Sequence, residues 1–139
     1  MIHHIPPNLY CVTACLYALT GEPLDVVLVP VLNRHAGHDS LSGNPGSMSM
    51  IAAQYTLLEL GYRVFRHKSA GTKRQQLRTW THKYKGEEHP FLVAVPGHAL
   101  VMYKGKIYDT KAPGGIPVDI HPDSRRRVDY LAKIVKREV

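Results

Sequence analysis

The 139-residue chain predicts an α+β domain, with helices first and an antiparallel sheet after them. Three patterns carry this expectation. Val12, Cys15, Leu16 and Leu19 recur at the spacing of a helix with one buried face. After Gly61 the period changes to short runs rich in β-formers. Two of those runs are joined by Pro96-Gly97 and two by Lys104-Gly105, both turn dipeptides.

The first helix is expected over residues 9–20, with Asn8 as its N-cap after two prolines and Gly21 as its stop. A second is expected from about Pro23 to Leu32, and residues 34–46, rich in Gly, Ser, His and Asn, form a loop. Ser47 caps a third helix with Met50, Ile51, Leu57, Leu58 and Leu60 as its apolar positions, closed by Gly61. Then come a strand at Tyr62–Phe65 and a basic amphipathic helix at Thr72–Tyr84, anchored by Leu77 and Trp80. Strands follow at Phe91–Val95, Ala99–Tyr103, Lys106–Thr110 and Val128–Val135. Tyr55, Trp80 and Phe91 are assigned to the core.

Hydrophobic residues make up 44% of the chain and charged residues 21%, which fits one globular domain over residues 1–139 and excludes a coiled coil or a disordered chain. No apolar run approaches the roughly 20 residues of a membrane span, and the longest, Val26–Leu32, contains Pro30. The N-terminus lacks a secretion-signal pattern, so a cytoplasmic location is expected. The net charge of +7 and the acid-free stretch Arg63–Lys85 suit an acidic partner; nucleic acid is compatible but not favoured, because no aromatic-basic interleaving appears. Neither a membrane partner nor a cofactor is indicated. His3-His4 and His35 to Asp39 invite a metal reading, yet nothing fixes their mutual geometry, so no metal site is assigned. The loop His35–Gly46 is a candidate substrate rim.

Two cysteines at i and i+4 do not make a disulfide framework, which leaves packing or nucleophilic chemistry. Cys11 falls in the first turn of the first helix, where free N–H groups and the macrodipole favour a thiolate. Cys15 lies one turn deeper, in line with the core. If Lys104-Gly105 is a two-residue turn, Met102 faces Ile107 and Val101 faces Tyr108. Alternation then puts His98, Leu100 and Met102 on one face with Ile107 and Asp109. His98 and Asp109 become diagonal neighbours, about 7–8 Å apart at the backbone and within side-chain reach. An imidazole held by a carboxylate is the base half of a nucleophilic triad, and a slip of one residue would separate the two.

Cys11-Val12-Thr13-Ala14-Cys15-Leu16-Tyr17-Ala18-Leu19 with Thr20-Gly21 resembles the cysteine helix of papain-like peptidases, nearest to their bacteriocin-processing branch. Gly97-His98-Ala99-Leu100-Val101-Met102-Tyr103 and Gly105-Lys106-Ile107-Tyr108-Asp109 resemble that group's His and Asp strands, in the same order. The resemblance implies a papain-like fold with Cys11 as nucleophile, His98 as general base and Asp109 as its orienter. Two positions depart from the pattern: Ile5 stands where the family's oxyanion Gln is expected, and Val12 replaces its Gly. Asn8 can supply a side-chain amide to the oxyanion instead. The function expected is a cysteine peptidase, isopeptidase or amidase acting on a protein or peptide; a transferase would use the same residues. The alternatives are a papain-like binding module with weakened turnover and a small basic nucleic-acid-binding protein.

Overall fold

The computed structural model describes residues 1–36, 47–67 and 75–137, and the side chains of residues 47–49 also lie outside that description. It begins with α1 (Cys11–Thr20), a π-helical turn (Leu24–Leu28), α2 (Val29–Ala36) and α3 (Ser47–Glu59). There follow β1 (Tyr62–Arg66), α4 (Leu77–Lys83), β2 (Phe91–Val95), β3 (His98–Tyr103), β4 (Lys106–Tyr108), β5 (Ile116–Pro117), a 3₁₀ turn (Val118–Ile120) and β6 (Tyr130–Lys136). The six strands form one antiparallel sheet in the order β1-β6-β2-β3-β4-β5.

Alternation along the strands divides the core in two. Leu92, Ala94, Ala99, Val101, Tyr130, Ala132 and Ile134 pack with α1, α2 and α3 on one face. Val93, Val95, Leu100, Met102, Ile107 and Leu131 pack with Leu77 and Trp80 of α4, Val118 and Val128 on the other. β2 is therefore apolar throughout its length, because both of its faces are covered. α1 carries the predicted stripe, but Thr13, Ala14 and Ala18 are buried as well, so nearly its whole circumference is enclosed.

Several elements differ from the sequence expectation. The α1 N-cap is Tyr10, with no side-chain cap bond, while Asn8 stands two residues earlier at φ 65°. Asn tolerates that left-handed conformation, so here it makes the bend into the helix rather than capping it. The second helix is not continuous from Pro23 to Leu32: a π turn comes first and α2 runs on to Ala36. Pro30 lacks the N–H a regular helix would need there, which places the break just ahead of it. Arg34–Ala36 are thus helical rather than loop, and the rest of the expected loop, residues 37–46, lies outside the described residues.

α3 buries Met50 and Leu57 but leaves Ile51, Leu58 and Tyr55 exposed. Tyr55 stacks on His35 of α2 at 5.9 Å instead of entering the core. The basic helix begins only at Leu77, since Gln76 pairs with Arg127 in an isolated bridge; residues 72–74 lie outside the description. Leu77, Trp80 and Phe91 are core, as expected. β3 starts one residue earlier than expected, at His98, and β4 ends two earlier, at Tyr108. The last strand starts at Tyr130 rather than Val128. β5 is too short to show a pattern in the sequence. No single helix among the described residues is long and apolar enough to cross a membrane.

The β3–β4 register is the predicted one: Tyr103 opposite Lys106, Met102 opposite Ile107, Val101 opposite Tyr108. Lys104 and Gly105 both have positive φ, 50° and 83°, which is the two-residue turn that matches the twist of the strands.

Candidate active site

His98 opens β3 and Asp109 follows β4 directly, so the hairpin alone brings them together. His98 Nε2 lies 2.8 Å from Asp109 Oδ2. The carboxylate is completely buried, and the imidazole retains 12% side-chain exposure. Asp109 also bends its own chain. Its Oδ1 accepts the backbone N–H of Lys111 at 3.0 Å and of Ala112 at 2.8 Å, a side-chain-closed turn that fixes the carboxylate before any partner arrives.

Cys11 comes from the opposite face of the sheet. α1 packs on β3 there, and Cys11 is its first residue, so thiol and imidazole meet at the beginning of β3. His98 and the backbone N–H groups of Ala99 and Val12 act on the thiol and favour its ionised form. Nε2 of His98 is committed to Asp109, which leaves Nδ1 as the nitrogen available to the sulfur. Burial pushes the Cys11 thiol up, but the bonds from His98, Ala99 and Val12 and the His98 charge together leave it below the ordinary thiol value. His98 is raised to about 9, first by its Asp109 hydrogen bond and then by Cys11, against an opposing effect of burial. Burial likewise opposes ionisation of Asp109, yet the bonds from His121 and His98 hold it well below the usual carboxylate range. At neutral pH His98 is an imidazolium and Asp109 a carboxylate, and the shift of Cys11 runs in the same sense, toward the thiolate.

Cys15 is fully buried, and burial, reinforced by the Cys11 and Asp109 charges, pushes its thiol up. It belongs to the core, as its place on the stripe predicts.

Asn8 is exposed three residues ahead of Cys11, and its side chain has no hydrogen bond among the described residues. Ile5 is buried, and its backbone N–H is tied to the Pro113 carbonyl at 3.1 Å, so the segment before α1 is docked on the loop that follows Asp109. The Cys11 N–H, at the first helical position, has no intrahelical partner.

One residue at this centre had no signal in the sequence. His121, in the loop after the 3₁₀ turn, places Nε2 2.8 Å from the same Asp109 Oδ2 and is wholly buried. No helix or strand period includes it, so only the folded chain brings it to Asp109. Asp123 lies beside it, buried, and offers its backbone N–H to His121 Nδ1 at 3.0 Å.

His98, Asp109 and Asp123 present possible metal-ligand atoms within 4.8 Å of one another. The 2.8 Å separation of His98 Nε2 and Asp109 Oδ2 suits a shared proton. Two ligands at ~2.0–2.1 Å around a tetrahedral ion would stand about 3.3 Å apart. With four bonds already accepted, Asp109 has no lone pair left for an ion. The other histidines are engaged separately: His3 lies edge-on to Tyr17, and His35 bonds Glu59 at 3.1 Å. His38 and Asp39 lie outside the described residues, as does the expected substrate rim beyond Ala36.

The basic stretch is divided between elements. Arg63 and Arg66 lie exposed on β1, Arg78 and Lys83 on α4, with Arg66 over the Tyr130 ring and Lys83 over Trp80.

No protein-family model, curated protein or solved structure matches this chain. The likeness to papain-like peptidases therefore rests on the residues quoted above and on their arrangement.

Proposed function

We propose that the protein is a papain-like cysteine hydrolase that cleaves an amide bond through Cys11, His98 and Asp109. The observation that carries the reading is an imidazole held at 2.8 Å by a buried carboxylate, at the start of the strand on which α1 packs with Cys11 as its first residue. The Cys11 thiolate attacks a carbonyl carbon, and the oxyanion is received by the Cys11 N–H and the Asn8 amide. His98 passes its Nδ1 proton to the leaving nitrogen as the C–N bond breaks. The resulting thioester is attacked by water, His98 takes a water proton, and the acid departs as the thiolate is restored. Asp109 keeps the ring oriented and balances its charge throughout. The substrate class is a peptide, isopeptide or glutamine-type amide of a protein, with acidic sequences favoured by the net charge of +7. An amine that reaches the thioester before water would make the product a transamidated one.

The test is the rate of iodoacetamide alkylation from pH 4 to 9 in the parent chain, Cys11→Ala, Cys15→Ala and His98→Ala. The expected result is an acid-shifted reactive thiol, lost in Cys11→Ala, kept in Cys15→Ala and moved toward ~8.5 by His98→Ala. Thiols that react only above pH 8, unchanged by His98→Ala, would overturn the reading. Ile5 favours a second function, a binding module with weakened turnover, because its buried apolar side chain offers no donor where the family has Gln. That reading is distinguished by an activated thiol that acylates once and does not turn over.

A further inference from the structure

We infer that His121 is a positioning residue for this centre: its Nε2–H bond to Asp109 Oδ2 holds that carboxylate as an anion facing His98. The inference rests on the Cys11–His98–Asp109 reading and adds to it a fourth side chain.

Hydrogen-bond accounting gives the direction of each bond. The Asp123 backbone N–H donates to His121 Nδ1, so that nitrogen carries a lone pair and the ring proton sits on Nε2. His121 is therefore a neutral donor aimed at Asp109. Asp109 Oδ2 then accepts from two imidazoles, each at 2.8 Å, while Oδ1 accepts from two backbone N–H groups. A carboxylate with no exposure to water depends on such donors to stay ionised. Of the four, the two backbone groups fix its position along the chain, and His121 opposes His98 across Oδ2.

His121 is itself clamped. Arg126 of the same loop reaches Asp123 Oδ1 at 3.5 Å and donates to the Pro96 carbonyl, in the turn that leads into His98. One loop thus braces both members of the His98–Asp109 pair. The other titratable or charged groups around Asp109 are the Cys11 and Cys15 thiols of α1, the Asp123 carboxylate, and the Lys111 ammonium 3.8 Å from Asp123. None of these donates to Asp109, so none can replace His121.

The test uses the full chain with Asp109 carboxyl carbon followed by NMR as the pH is lowered. Three variants are compared: His121→Leu, His121→Asn, whose amide is too short to reach Asp109, and His121→Gln, whose amide matches Nε2. In the parent, Asp109 stays ionised well below the usual carboxylate range. In the Leu and Asn variants its titration is expected to move up by about 1–2 pH units. Cys11 acylation at pH 7 is expected to fall about 10–100-fold, as for outer partners of metal-bound histidines. Gln restores both. A merely structural role would leave the Asp109 titration where it was in any variant that folds, with Cys15 still protected from alkylation. An unmoved titration in both Leu and Asn overturns the role of His121 alone. A parent chain without an acid-shifted Cys11 overturns the hydrolase reading itself.

Discussion

At the scale of single residues, the centre is a row of ionisable groups: a thiol drawn toward ionisation, an imidazolium and a buried carboxylate. Each shift has a consequence for stability. His98 holds its proton to about 9 in the folded chain, against about 6.5 when unfolded. Its contribution is complete below about pH 6.5 and fades as the pH rises through about 9. Asp109 is shifted the other way, so its contribution is present above about pH 4 and is lost only as the pH falls toward its depressed folded value. Thermal melts should therefore be highest between about pH 4 and 6.5 and decline toward pH 9, and His98→Gln should flatten that alkaline decline. A decline of equal size in His98→Gln would assign it to other groups. Asp109, His98 and Cys11 were each legible as candidates, because residue type and order suffice for that. His121 was not, because a histidine in an aperiodic loop looks the same whether it faces solvent or a carboxylate.

The elements explain why the pair meets. Lys104-Gly105 closes a two-residue turn in which both residues have positive φ, and that turn sets the register that carries Asp109 to His98. This much followed from the dipeptide and from alternation. The start of α1 did not. Asn8 has the composition of a cap, yet its φ of 65° puts it in the bend before Tyr10. Two substitutions separate its backbone role from its amide. Asn8→Gly keeps the left-handed conformation and should leave the melting temperature within a degree or two, while lowering turnover about 10²–10³-fold if the amide serves the oxyanion. Asn8→Ala should add a loss of about 1 kcal/mol, because a Cβ is strained there. Equal turnover of Asn8→Gly and the parent would remove Asn8 from the mechanism. Pro30 teaches the same lesson for the second helix: its ring is visible in the sequence, but whether the chain bends, kinks or inserts a π turn depends on what α2 packs against.

For the molecule as a whole, one sheet separates two cores, and Cys11 packs against only one of them. Leu16, on the α1 face, holds the helix against β3; Trp80, on the α4 face, does not touch that contact. Leu16→Ala should cost about 2–5 kcal/mol and move the Cys11 alkylation midpoint toward the ordinary thiol value, as α1 loosens over β3. Trp80→Ala should cost about 3–5 kcal/mol and leave the midpoint unchanged. Urea denaturation with alkylation at several pH values measures both, and a shifted midpoint in Trp80→Ala would show that the two cores are coupled.

The α+β order, the stripe of α1, the β3–β4 turn and the His98–Asp109 pairing were determined by the sequence alone, since each depends on residues within a few positions of one another or on a single hairpin. The tertiary structure decided which nitrogen of His98 is held by Asp109, what stands behind Asp109, and that Asn8 bends the chain instead of capping it. It also placed Tyr55 on the surface, where α2 offers His35 to stack on. Those outcomes depend on packing between segments distant in the chain, where burial and the pairing of every buried donor and acceptor, rather than local propensity, select the arrangement.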